Sequence, residues 1–132
     1  MKILGIDYGR KYIGLAMTDE DGGMAFPFKT LEVNGRKQLF AELEKMIEYE
    51  GVRKVVVGLP LTMKGEKGVA SAEVRKFICE LEELSNVPID FMDERLSTQE
   101  AEKTKAAGFE RNGHAIAAQL LLDAYLKASH TP

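Results

Sequence analysis

The chain has 132 residues, 45% of them hydrophobic and 30% charged, which suits one compact domain, residues 1–132, with a real core. Its formal net charge of −3 excludes bulk positive charge as a route to nucleic acid, so such binding must rest on a local basic patch. One cysteine excludes an internal disulfide framework, and the absence of a long apolar run points to a cytoplasmic protein with no membrane partner.

The first elements form a hairpin. Lys2 to Asp7 is a short apolar run ending on a carboxylate. Gly9 permits a tight turn. From Tyr12 to Thr18, Ile13, Leu15 and Met17 point one way, and Gly14, Ala16 and Thr18 the other. The small residues leave room for something to approach the sheet closely. Asp7 shares a strand face with Ile3 and Gly5. An acid at the end of a buried strand is costly unless it is paired, hydrogen-bonded or bound to a cation.

Asp19 to Gly23 reads as a solvated turn, although its three acids are also potential metal ligands. Met24 to Val33 is a third strand, and Pro27 within it argues for a sheet edge. Gly35 to Glu50 is helical, with Leu39, Phe40, Leu43, Met46 and Ile47 as its apolar stripe, and Gly51 stops it. Arg53 to Leu59, centred on three valines, suggests a strand buried on both faces. A loop rich in glycine and lysine, Gly58 to Gly68, follows. A second helix runs from about Val69 to Leu84, with Val74, Phe77, Ile78, Leu81 and Leu84 in register. Cys79 lies on its apolar face and is expected to be a buried, inert thiol. Pro88 to Met92 is a fifth strand, closed by Asp93, Glu94 and Arg95. Ser97 has the capping-box spacing to Glu100 and starts a third helix that Gly108 ends. Asn112 caps a fourth, from about Gly113 to Lys127, apolar nearly all round and therefore buried against the sheet.

The order β-β-β-α-β-α-β-α-α predicts an α/β fold with a mixed five-stranded sheet. Right-handed crossovers and Pro27 on an edge are satisfied by the order 3-2-1-4-5, with strand 2 antiparallel and helices on both faces. The carboxyl ends of strands 1, 4 and 5 then converge, bringing Asp7 toward Asp93 and Glu94. Carboxylates meeting there repel one another, and a hard divalent cation relieves that repulsion. Such a cation polarises a phosphodiester and activates water, and two of them about 4 Å apart clamp the attacking and leaving oxygens.

Five motifs in order carry a family resemblance. They are Leu4-Gly-Ile-Asp7-Tyr-Gly9-x-Lys11-x-Ile13-Gly14-Leu-Ala16, then Val57-Gly-Leu-Pro-Leu61, Lys64-Gly65-x-x-Gly68, Asp93-Glu-Arg-Leu-Ser-Thr98 and Ala117-Ala118-Gln119. Together they resemble the YqgF family, also called RuvX, from residue 4 to about residue 126. The resemblance implies an RNase H-like fold related to RuvC resolvases and a metal-dependent nuclease using Mg²⁺ or Mn²⁺. It implies a role in maturing the 5′ end of 16S rRNA, with four-way-junction resolution as the older proposal. The implied partners are pre-rRNA or branched DNA and the small ribosomal subunit, for a monomer or a homodimer; a junction resolvase needs two sites.

Residue by residue, the resemblance makes Asp7 and Glu94 catalytic metal ligands, with Asp93 as a substitute for Glu94. A third acid is usual just before the Ala-Ala pair, and here His114 stands there. Some RNase H-like relatives tolerate histidine at that position. Imidazole is softer than carboxylate and suits Mn²⁺ better than Mg²⁺. In the first turn of a helix, His114 would meet the positive end of the dipole, which disfavours imidazolium. The competing readings are a turn-capping acid for Asp7, a surface acid for Glu94 and a solvent-facing residue for His114. Arg10, Lys11, Lys64, Lys67 and Arg95 sit on loops near the strand ends and form a nucleic-acid-binding set only if they cluster. Tyr8 and Tyr12 flank the turn and could stack on a base, although packing is the commoner fate. Two other functions compete: a nucleotide-handling relative of actin-like and sugar-kinase ATPases, and a non-catalytic RNA- or ribosome-binding module.

Overall fold

The computed structural model describes residues 1–59, 69–93 and 110–129. Five strands and three helices lie in them: β1 Ile3–Asp7, β2 Tyr12–Thr18, β3 Ala25–Glu32, α1 Arg36–Glu50, β4 Lys54–Leu59, α2 Val69–Leu84, β5 Ile89–Asp93 and α3 Glu110–Ser129. The helix expected from Ser97 lies outside the described residues, as do most of the Gly58 loop and Glu94.

The strands form one sheet in the order β3-β2-β1-β4-β5. β1 pairs antiparallel with β2 and parallel with β4, and β4 pairs parallel with β5. Pro27 stands on the β3 edge. The β2–β3 ladder shifts register between Leu15 and Ala16, which pair with Lys29 and Pro27, so Phe28 is the extra residue of a bulge. A bulge and a proline together blunt an edge against further strand pairing.

Alternation along the strands sorts the core into two layers. Leu4, Ile6, Ile13, Leu15, Val55 and Val57 face one side and pack with Leu39, Phe40, Leu43 and Ile47 of α1 and Val74, Phe77, Ile78 and Leu81 of α2. Ile3, Ala16, Ala25 and Val56 face the other and pack with Ala118, Leu122 and Leu126 of α3. The Val55-Val56-Val57 run is thus buried on both faces. Each buried leucine contributes about 1.5–3 kcal/mol, so its apolar side holds α3 on the sheet more firmly than any exposed polar contact does. At the turn after α1, Gly51 has φ 69°, the left-handed conformation that suits glycine, and its N–H closes the helix on Glu48 O. Thr18, buried, accepts from Ile3 N and donates to Asp19 O, so it is satisfied. The Asp19 carboxylate accepts from Gly23 N at 3.0 Å and is part of the turn.

Three local expectations are corrected. Cys79 is exposed, because it lies to the side of the Val74–Phe77–Ile78–Leu81 stripe rather than within it. Leu84 is 45% exposed, because the last residue of α2 leaves the layer that Leu81 still occupies. The last helix starts at Glu110, so Asn112 lies inside it instead of capping it.

The small-residue face of β2 has a definite occupant. A Cβ built on Gly14 would lie 1.8 Å from the backbone oxygen of His114 and 2.9 Å from Ala115 N. At Gly5 the corresponding atom would meet Leu122 Cβ at 3.2 Å and Ala118 O at 3.3 Å. The backbone of α3 therefore rests directly on the Gly14 backbone. Gly14→Ala must push the amino-terminal part of α3 off the sheet. The expected cost is at or above the upper end of the roughly 1–3 kcal/mol typical of overpacking, read as a lowered melting temperature. Gly23→Ala, where an added Cβ meets nothing within 4 Å, is the control. Equal melting temperatures for Gly14→Ala and wild type would contradict the docking described.

Candidate active site

Asp7 is the last residue of β1, at its carboxyl end. It pairs with Gly14 across the hairpin and is 8% exposed. Its position alternates with Ile3 and Gly5, so it lies on the α3 side of the sheet. Gly14, across from it, admits the α3 backbone at His114. One glycine thus brings a strand-end acid and a helix imidazole together. His114 Nδ1 lies 3.9 Å from Asp7 Oδ2. The two residues are 107 positions apart in sequence, 114 less 7.

His114 is the fifth residue of α3 because the helix begins at Glu110. It stands past the first turn, where the field of the helix end has fallen away. The first-turn placement expected for it is therefore corrected. Its position is fixed by the docking at Gly14 and by the Tyr12 ring, whose centroid lies 5.6 Å away at an interplanar angle of 38°.

The donor set suits a hard-to-borderline divalent ion: one carboxylate oxygen and one imidazole nitrogen. The two donor atoms stand 3.9 Å apart and share one corner at the carboxyl end of β1. A group of three or more candidate ligands does not occur among the described residues. Glu94 lies outside them, and Asp93 ends β5.

The basic residues of the hairpin tip separate. Arg10 reaches α2, where Nη2 and Nε donate to the two carboxylate oxygens of Glu73 at 2.7 and 3.1 Å. That hydrogen bond, and then the charge of Glu73, raise the pKa of the guanidinium above its usual value. Lys11 goes the other way and places Nζ 5.5 Å from the centroid of the Tyr12 ring. Tyr8 is half-buried and packs on Phe77 of α2 at 4.9 Å between centroids, so its ring is engaged on the α2 side against the core. Lys64, Lys67 and Arg95 lie outside the described residues. Gln119, from the last family motif, donates to Ala25 O at 3.2 Å and ties α3 to the edge strand, a structural role that spacing alone did not reveal. Gly14 is the site residue most easily overlooked in the sequence; its signal was the run of small residues on one face of β2.

The family pattern described as "RuvX: Holliday junction resolvase" matches residues 1–128. The chain belongs to the RuvX family. A relative from Maridesulfovibrio salexigens, named "Putative pre-16S rRNA nuclease", is 41% identical over 132 residues, covering 96% of this chain and 98% of its own. One of the same name from Chloroflexus aggregans is 35% identical, covering 98% and 96%. As a RuvX member the chain is a nuclease, a hydrolase of phosphodiester bonds. Among solved structures, Thermus thermophilus RuvC in complex with a Holliday junction substrate superposes with a TM-score of 0.62 at 14% identity, over 98% of this chain and 96% of that one. This likeness gives the RNase H-like, RuvC-type fold. No helix among the described residues is long and apolar enough to cross a membrane.

Proposed function

We propose that this RuvX-family nuclease cleaves pre-16S rRNA at a divalent-metal site held by Asp7, Glu94 and His114. The observation that carries the reading is the 3.9 Å approach of the Asp7 carboxylate and the His114 imidazole at the carboxyl end of β1. The RNA substrate rests on the names of the full-length relatives. For Glu94 the support is the Asp93-Glu94-Arg95 motif, which follows directly on β5 in the sequence.

When bound, a divalent ion supplies charge stabilisation at the phosphodiester and activates water. The chain's own residues do the rest. Asp7, buried at the strand end, brings negative charge that attracts the ion. His114 offers a nitrogen from α3. The sheet and α3 hold both donors in place before substrate arrives, so little ordering is needed in the site. The small ribosomal subunit is the partner that this substrate implies.

Junction resolution is the second reading, favoured by the family description and by the RuvC fold. It requires two such sites and therefore a homodimer. Single-stranded pre-rRNA fragments and four-way DNA junctions, offered in Mg²⁺ or Mn²⁺, separate the readings. Metal-dependent RNA cleavage is expected, and Asp7→Asn should reduce it by more than the roughly 10–100-fold that altering a group around a metal's ligands costs. Cleavage of junctions alone would favour the resolvase, and binding without cleavage in either metal would favour a non-catalytic RNA-binding module.

Replacing the softer nitrogen with a carboxylate by His114→Asp should move the ratio of Mg²⁺-supported to Mn²⁺-supported rates toward Mg²⁺. An unchanged ratio would remove His114 from the ligand set.

A further inference from the structure

The hairpin tip divides its side chains between the two sides of the sheet. Tyr8 and Arg10 are committed to α2, through Phe77 and Glu73. Tyr12 and Lys11 stay on the α3 side, beside His114. Lys11 is exposed, makes no ion pair with any described residue and lies against the Tyr12 ring. Tyr12 is half-buried. The backbone beneath them is fixed, since Val33 N donates to Lys11 O at 2.8 Å and Tyr12 pairs with Glu32 of β3. The result is a ledge whose ring lies 5.6 Å from that of His114: an aromatic surface with a releasable cation over it.

We infer that this ledge is a nucleotide subsite, in which Tyr12 stacks on an unpaired base next to the scissile phosphodiester and Lys11 leaves the ring for the backbone phosphate. An ammonium over an exposed ring is held by only about 0.5–1 kcal/mol, so a phosphate competes for it readily. Base–aromatic stacking is stronger than that and tolerates any sequence, because every base offers a π-face. Glu32 stands across the ladder from Tyr12, which disfavours an anionic phosphate on that side and leaves the ring to an uncharged base. A base inside a duplex is already stacked on its neighbours and cannot reach the ring without being unpaired. The ledge therefore selects single-stranded or splayed nucleic acid over a continuous duplex. The inference rests on the nuclease reading for the position of the phosphodiester, but the preference for unpaired bases is a binding property and does not need cleavage.

The test is binding by the full chain in EDTA at low salt, read by fluorescence anisotropy. The probes are a fluorescein-labelled single-stranded RNA, a single-stranded DNA of the same sequence and the blunt RNA duplex. Wild type should bind both single strands more tightly than the duplex. Tyr12→Leu should weaken single-strand binding by about tenfold or more and leave duplex binding nearly unchanged. Tyr12→Phe keeps the ring and should bind like wild type. Lys11→Gln should weaken every probe and flatten the salt dependence. A preference for RNA over DNA that Tyr12→Leu leaves intact would place sugar recognition elsewhere while preserving the stacking role. The proposal is overturned if Tyr12→Leu binds single strands as wild type does, if Tyr12→Phe loses as much as Tyr12→Leu, or if single-strand and duplex binding fall together. It is overturned equally if no single strand binds. The third of those outcomes would mean that Tyr12 only supports His114. Failure of the nuclease reading would appear differently, as the same binding contrast with no cleavage in either metal.

Discussion

The close approach of α3 to β2 at Gly14 is the constraint on which the site depends. The missing side chain is the space in which the His114 carbonyl sits. Without it the helix would stand farther from the sheet, and the imidazole would move away from the β1 carboxylate. The same contact accounts for the burial of Asp7, because Asp7 is the ladder partner of Gly14 and α3 covers both. A fold feature and a chemical feature thus share one cause. The apolar side of α3, with Ala118, Leu122 and Leu126 against Ile3, Ala16 and Val56, supplies the energy that keeps the helix there.

The second organising feature is the hairpin tip, where strand alternation sends neighbouring side chains to opposite sides of the sheet. Tyr8 and Arg10 brace β1 and its turn against α2. Lys11 and Tyr12 furnish the α3 side, next to Asp7 and His114. The basic residues of a single loop are therefore not one patch. Arg10 is spent on an ion pair with Glu73, and Lys11 is the one placed toward the candidate site. A net negative chain can still hold a phosphate at a local basic site, since short-range charge and not the total decides local binding.

Much of this was legible in the sequence. Period-two alternation gave the two faces of β1 and β2, the valine run gave a doubly buried β4, and Pro27 placed β3 on the edge. Helical stripes located α1 and α2 nearly to the residue. The gathering of Asp7 and His114 followed from topology and from the family motifs. What alternation could not give was the start of α3, because Asn112 offered a plausible cap that the helix passes through from Glu110. That shift moved His114 out of the first turn. Cys79 was misplaced because a period of 3.6 leaves residues at the edge of a stripe undecided between core and solvent. The destination of Arg10 was illegible too, since its partner Glu73 is 63 residues away and only the packed fold brings them together.

The most direct test of the shared Asp7–His114 site is Mn²⁺ titration followed by NMR of the imidazole signals. The chain has two histidines, His114 and His130, so each reports separately. The account predicts that the His114 signals broaden at the lowest Mn²⁺ additions, before those of His130, and that Asp7→Asn removes this broadening. Broadening of His130 first, or broadening of His114 that survives Asp7→Asn unchanged, would contradict it.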